Sequence, residues 1–266
     1  MKTTFSILLF LFLGSFAQAE NASHGLEAIQ KGDYLTAMKH LQPLADNGDS
    51  SAELQIGMMH YFGLGISRDL AQAVFWFERS AVGGNAQAQN NLGTLYDRGL
   101  GVQQDATQAV EWYRKSAEGG DRNGQFNLAV KYEVGNGLPE NLEQAIVWYK
   151  RAAKNGHSLA QNNLAMLYNQ GKGVPLDHKE AFRLYSLSAK GGNGHGQYNA
   201  GYMFATGKGV QEDKNEAVKW FFRAGQTFIR ERDFKSATNA LNAINWAIPD
   251  HALEKELVAA LKQAKK

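Results

Sequence analysis

The feature that most constrains this chain is a period of 36 residues. Ala73, Ala109, Ala145, Ala181 and Ala217 keep that spacing, as do Gly65, Gly101, Gly137, Gly173 and Gly209. Trp76, Trp112, Trp148 and Trp220 follow it too, with Leu184 standing in the fourth copy. Five copies run without insertion or deletion from about Ser50 to Gly225. A repeat of this length is one supersecondary unit that cannot bury its apolar face alone, so successive copies must stack on one another.

Each copy reads as two helices. In the second, Ala86 to Tyr96 is the leading helix, the glycine-rich stretch from Gly99 the loop, and Asp105 to Glu118 the second helix. Asp69, Asp105, Asn141, Asp177 and Asp213 stand where an N-cap belongs, each followed three residues later by Gln72, Gln108, Gln144, Glu180 or Glu216. That pairing is the pattern of a capping box, in which the two side chains satisfy backbone N–H groups left open at a helix start. Gly84, Gly120, Gly156 and Gly192 suit the left-handed position after the second helix.

These residues resemble the Sel-one-like repeat family, a relative of the tetratricopeptide repeats. The likeness rests on Ala88-Gln-Asn-Asn-Leu-Gly-Thr-Leu-Tyr96, Gly99-Leu-Gly-Val102, Asp105, Ala109, Trp112, Ala117 and Gly120, and covers about two-thirds of the chain. It implies an all-α fold, a right-handed superhelical solenoid of stacked helix-turn-helix repeats, and a scaffold for protein or peptide partners. Some exported relatives cross-link each repeat with a cysteine pair. This chain has no cysteine, so nothing particular to that branch carries over.

The ends differ from the middle. Gly32-Asp33-Tyr34 and Arg232-Asp233-Phe234 share a turn resembling the ordinary tetratricopeptide one, so residues 20–49 and 226–266 read as helical caps around the repeats at 50–225. Residues 1–19 read as a signal peptide: Lys2, an apolar stretch from Phe5 to Phe16, then small residues at Ala17 and Ala19. The stretch falls short of the roughly 20 apolar residues that a membrane span needs. Cleavage near Ala19 and a periplasmic or secreted location are therefore expected, with no span in the mature chain. The net charge of +2 gives no basic footprint for nucleic acid.

At about 100° per residue, Ala52, Ile56, Gly57 and His60, with their equivalents, form one arc of the leading helices and belong to the core. The Trp and Ala columns of the second helix are assigned to the core as well. The opposite arc varies from copy to copy. Leu54, Asn90, Phe126, Asn162 and Tyr198 form one column; Met58, Thr94, Val130, Met166 and Tyr202 form another. Tyr61, Asp97, Glu133, Asn169 and Ala205 form a third, and Phe62, Arg98, Val134, Gln170 and Thr206 a fourth. Leading helices line the concave side of tetratricopeptide-like stacks, so this arc is expected to be a partner groove, although the same residues could instead touch the next repeat. A fifth column is polar throughout: Gln55, Asn91, Asn127, Asn163 and Asn199. Its amides could serve a bound peptide backbone or fix the spacing of the repeats. The candidate groove residues are thus Leu54, Met58, Tyr61, Asn90, Asn91, Asp97, Phe126, Asn127, Val130, Glu133, Asn162, Asn163, Met166, Tyr198, Asn199 and Tyr202.

No histidine lies in a recognised zinc spacing, and the Gly-x-Gly loops lack the strand and the Lys-Ser of a phosphate loop. Asp97 and Glu133, one repeat apart, could form a carboxylate pair, but solvated charge is the ordinary reading. The expectation is a non-enzymatic exported scaffold, without cofactor or metal. Assembly of an envelope complex and cell-wall hydrolysis are the alternatives.

Overall fold

The computed structural model describes residues 20–265, and the expected signal peptide lies outside them. Every regular element among the described residues is helical. Helix α1 spans 20–30 and α2 Tyr34–Asp46. The five repeats then supply α3 (Ser50–Phe62) with α4 (Leu70–Val82), α5 (Ala86–Arg98) with α6 (Ala106–Glu118), and α7 (Arg122–Val134) with α8 (Leu142–Lys154). They continue with α9 (Ser158–Gln170) and α10 (His178–Lys190), then α11 (Gly194–Thr206) and α12 (Lys214–Arg230). Helices α13 (Phe234–Ala247) and α14 (Ala252–Ala264) close the chain. Consecutive helices pack on one another within two compact units, which divide at Glu140 and Asn141, between α7 and α8. The fold class is the expected one, an all-α solenoid of stacked helix pairs.

The helix starts follow from the sequence. Asp69, Asp105, Asn141, Asp177 and Asp213 all cap α4, α6, α8, α10 and α12, each accepting the N–H of the residue three positions on. The reciprocal half of the capping box is replaced. The backbone N–H groups of Asp69, Asp105, Asp177 and Asp213 donate to carbonyls nine residues back, at His60, Tyr96, Tyr168 and Phe204. The loop therefore closes on the preceding helix, and to the cap itself Gln108 and its equivalents contribute their backbone N–H.

In three of the loops the second glycine is required twice over, by its φ and by a neighbouring backbone. Gly101 has φ +73°, and a Cβ there would lie 2.4 Å from the Leu70 carbonyl oxygen of the preceding repeat. Gly137 meets Ala106 and Gly209 meets His178 in the same way, each 31 residues back. This loop is where one repeat seats on the start of its predecessor's second helix.

Each second helix buries one aromatic residue of a column that the sequence reading overlooked: Phe77, Tyr113, Tyr149, Tyr185 and Phe221. In three repeats the ring lies against a glycine of the leading helix, at Gly57, Gly93 and Gly201, where an added Cβ would come within 3 Å of it. The Trp column, one residue earlier, sits at the margin. Trp76 and Trp148 are buried, whereas Trp112 and Trp220 remain partly exposed. A cation three residues on covers each indole: Arg79, Lys115, Arg151 and Arg223, at 5.2, 4.0, 4.4 and 4.7 Å from the ring centres.

Buried polar ladders run beside the aromatics. Gln89, Gln125, Gln161 and Gln197 donate their amides to the carbonyls of Ala81, Ala117, Ala153 and Ala189. Ser80, Ser116 and Ser188 donate to the carbonyls of Ser50, Ala86 and Ser158. In the first repeat Glu53 replaces Gln and binds the Arg79 guanidinium at 2.9 Å. Burial raises the Glu53 pKa, opposed by that Arg79 charge. Buried polar groups with partners cost little, whereas a lone one is expensive, so these ladders fix the register.

Candidate partner-binding surface

The variable arc of the leading helices is not uniformly open. Leu54 belongs to the core with Ala73, Phe77, Ala88 and Leu92, and Asn90 and Asn162 are buried. These three leave the set of groove residues. Successive leading helices approach each other on that side, α5 against α7 and α9 against α11, and the approach covers the column. Polar residues survive there because they are paired: Asn127 Nδ2 donates to Asn90 Oδ1 at 2.8 Å, and Asn199 Nδ2 to Asn162 Oδ1 at 2.9 Å. Asn163 donates to the Tyr149 hydroxyl at 3.2 Å, and the Asn91 amide points at the Met58 sulfur at 3.5 Å. The amide column thus spends donors on ties between helices.

Asp97 is ion-paired with the Lys131 ammonium, which is buried and also donates to Asn136 at 3.2 Å. This carboxylate therefore serves a structural charge pair, and removing it would leave Lys131 buried without its counter-charge. Phe126, Val130 and Glu133 are half-buried on α7.

What remains open gathers into two aromatic clefts, one in each unit. In the first unit Met58, Tyr61, Phe62, Asn91 and Thr94 surround about 120 Å³ above Phe77 and Leu95. Tyr61 and Phe62 meet edge to face at 4.8 Å, and Phe62 is 56% exposed. In the second unit a cleft of about 300 Å³ lies between Tyr198, Tyr202 and Phe221 on one side and Asn239, Asn242 and Trp246 on the other. The Tyr202 and Trp246 rings are nearly parallel, 13° apart with centres at 6.1 Å, and are 38% and 58% exposed. The Lys208 ammonium lies 5.7 Å from the Tyr202 ring. Met166 is also exposed, on α9.

Trp246, Asn239 and Asn242 were missed because the register shifts once. Helix α12 has 17 residues where the other second helices of the repeats have 13, so the caps Asn193 and Asp233 are 40 residues apart instead of 36. With four residues added, Asn239 falls in the amide column after Asn199, Asn242 after Tyr202, and Trp246 in the column of Phe62. The signal lay in the repeated Gly/Arg-Asp-Tyr/Phe turn before α2 and α13. Helix α13 was nevertheless assigned to capping alone.

Among the described residues no helix is long and apolar enough to cross a membrane, and no group of three or more His, Asp or Glu could hold a metal ion. His60 keeps its Nδ1 buried without a hydrogen-bond partner, and burial lowers its pKa. His157 and His251 serve as N-caps.

The Sel1 repeat family model matches six consecutive segments, residues 17–49, 50–85, 86–121, 123–157, 158–193 and 194–226. The chain belongs to the Sel1 repeat family. The first segment takes in the α1–α2 pair that the sequence reading assigned to the cap. Sel1 repeat proteins are generally protein-interaction scaffolds. In structure, this Sel1 chain is similar to a Sel1 repeat protein from Oxalobacter formigenes, with a TM-score of 0.78 and 27% identity over 92% of this chain and 97% of that one. It is also similar to c5321, a protective antigen of uropathogenic Escherichia coli with an SLR fold, at a TM-score of 0.73 and 23% identity. That match takes in 97% of this chain but 64% of the antigen's length. The immunity protein PA5088 from Pseudomonas aeruginosa gives 0.52 at 18% identity over 80% and 82% of the two chains. These last two likenesses show the fold alone. No curated protein matches the sequence.

Proposed function

We propose that this Sel1 repeat chain is an exported scaffold that grips a protein or peptide on the variable arc of its leading helices. The observation that carries the reading is the Tyr202–Trp246 pair, two exposed rings flanking a cleft bordered by the Asn239 and Asn242 side chains. Aromatic rings beside amides offer apolar faces together with donors and acceptors, which suits an extended polypeptide. An exposed apolar patch is a usual mark of such a site. Export rests on the n-region, apolar stretch and Ala17/Ala19 pattern of the sequence.

Both parts are tested on the expressed protein. Recovery from periplasm or medium with an intact mass beginning at Glu20 supports export; a membrane-bound form retaining Met1 overturns it. For the surface, a Tyr202→Ser, Trp246→Ser variant should lose envelope-protein capture by about tenfold or more, as aromatic anchors do, with an unchanged melt. Glu111→Ala on the exposed face of α6 should leave capture intact. Undiminished capture by the double variant would refute this location.

A further inference from the structure

The fourth repeat breaks the tryptophan column twice in one place. Leu184 replaces the indole and Leu187 replaces the cation that covers it in every other repeat. Elsewhere the indole has a defined seat. Trp76 packs in the cluster of Ala45 and Ile56, and Trp112 against the cluster of Ala81 and Leu92, in each case 31 and 20 residues back. The same subtraction from Leu184 gives Ala153 and Leu164. Both line a cleft of about 500 Å³ in the second unit, among α8, α9 and α10. Leu184 is buried at its floor, and Leu187 is left 37% exposed at its edge. The place of the missing indole is thus an open recess with a narrow carbon floor, and Gln161, Glu180 and the rim cations supply much of its lining.

The rim is charged. Lys150, Lys154 and Arg183 stand around it against one carboxylate, Glu180, which takes two hydrogen bonds of 2.7 Å from Arg183. The Lys150 ammonium lies 5.9 Å from the ring of Tyr168, which forms part of the wall. Lys190 borders an adjoining cleft of about 430 Å³ on the other side of Leu187. A side chain entering the recess therefore meets aliphatic carbon below and cations at the sides, much as Trp112 meets the cluster of Ala81 and Leu92 below and Lys115 above.

We infer that this recess is a second docking site, on the second-helix side and separate from the leading-helix surface, for an aromatic side chain held in an acidic segment of another protein. The partner's ring takes the place of the absent indole, and its flanking carboxylates face Lys150 and Lys154.

The test uses the full chain and a synthetic fluorescent peptide carrying one tryptophan between aspartates, followed by anisotropy at low salt. The peptide should bind, about tenfold more weakly when its tryptophan is alanine and more weakly at high salt. Leu184→Trp with Leu187→Arg gives this repeat the pattern of its neighbours, so the fold should hold while the recess is filled; binding should fall about tenfold or more. Lys150→Glu with Lys154→Glu, at exposed positions, should weaken binding in the same direction by repelling the aspartates, and serves if the filled variant melts early. Tyr202→Ser should leave binding unchanged. Failure of the wild-type chain to bind the peptide, or equal binding by the filled variant, would overturn the inference. So would self-association of the chain that is abolished by filling the recess.

Discussion

The seam between the two helices of a repeat and the open arc of the leading helices obey opposite rules. Along the seam, and where one repeat meets the next, most copies keep the same residue types 36 positions apart: glycine against ring and serine to carbonyl within a repeat, glutamine to carbonyl between repeats. On the arc, equivalent positions hold methionine, threonine, valine, methionine and tyrosine. Repetition marks positions whose partner is another part of the same chain, because that partner repeats as well. Variation marks positions freed from that demand, and there the exposed rings of Phe62, Tyr202 and Trp246 collect.

Mutations can break this contrast at its strongest point first. Tyr113→Ala removes a ring buried against Gly93, whose hydroxyl donates to Thr94 at 3.3 Å, and should cost about 3–5 kcal/mol in denaturant melts. Hydrogen exchange should place the loss in the α5–α6 pair and its neighbours. The same column has a signature in alkali. Burial pushes the hydroxyls of Tyr113 and Tyr185 up to about 12 from 10.0, with the Thr94 bond pulling Tyr113 partly back. A folded value above the unfolded one means that the stabilisation is complete below pH 10 and is lost as pH rises towards 12. Absorbance titration should show these tyrosines ionising late, together with unfolding; early ionisation in the native state would contradict their burial.

Next in size is Gly101→Ala. It combines a left-handed φ with a Cβ placed against the Leu70 carbonyl, and should cost on the order of 2–3 kcal/mol. Trp112→Ala should follow at roughly 2 kcal/mol, below the figure for a fully buried ring, because its indole is partly exposed beneath Lys115. Equal losses for Trp112 and Tyr113 would erase the distinction between margin and core. Last comes Tyr202→Ser, Trp246→Ser, expected to change stability by less than about 0.5 kcal/mol per site. A cooperative loss of structure there would place these rings on the packing side of the comparison.

Much of this was legible in the sequence because identical spacing amplifies weak signals. One aspartate before a helix is a modest hint, whereas five caps in phase at Asp69, Asp105, Asn141, Asp177 and Asp213 settle the helix starts. Depth was harder to read. Trp112 and Tyr113 are adjacent and both recur, and at 100° per residue both fall on the apolar side, so periodicity does not reveal which ring goes deeper. Asn90 and Asn162 were read as open because their column varies from copy to copy on the arc opposite the core. Their burial depends on partners 37 residues on, Asn127 and Asn199, which a single helix does not display. Trp246 escaped because one extra helical turn in α12 moved it out of phase.

The Gln and Ser ladders bear on how such a chain can change length. Each glutamine reaches a carbonyl eight residues earlier, and each serine one thirty residues earlier. A duplication or deletion of one whole 36-residue unit, wherever its ends fall, therefore hands each of these glutamine and serine donors an equivalent backbone acceptor at the junction. An event one residue longer or shorter that falls between donor and acceptor strands an amide or hydroxyl inside the protein. Growth by whole repeats is then nearly silent for folding while it adds a new leading helix whose outer positions are free to diverge.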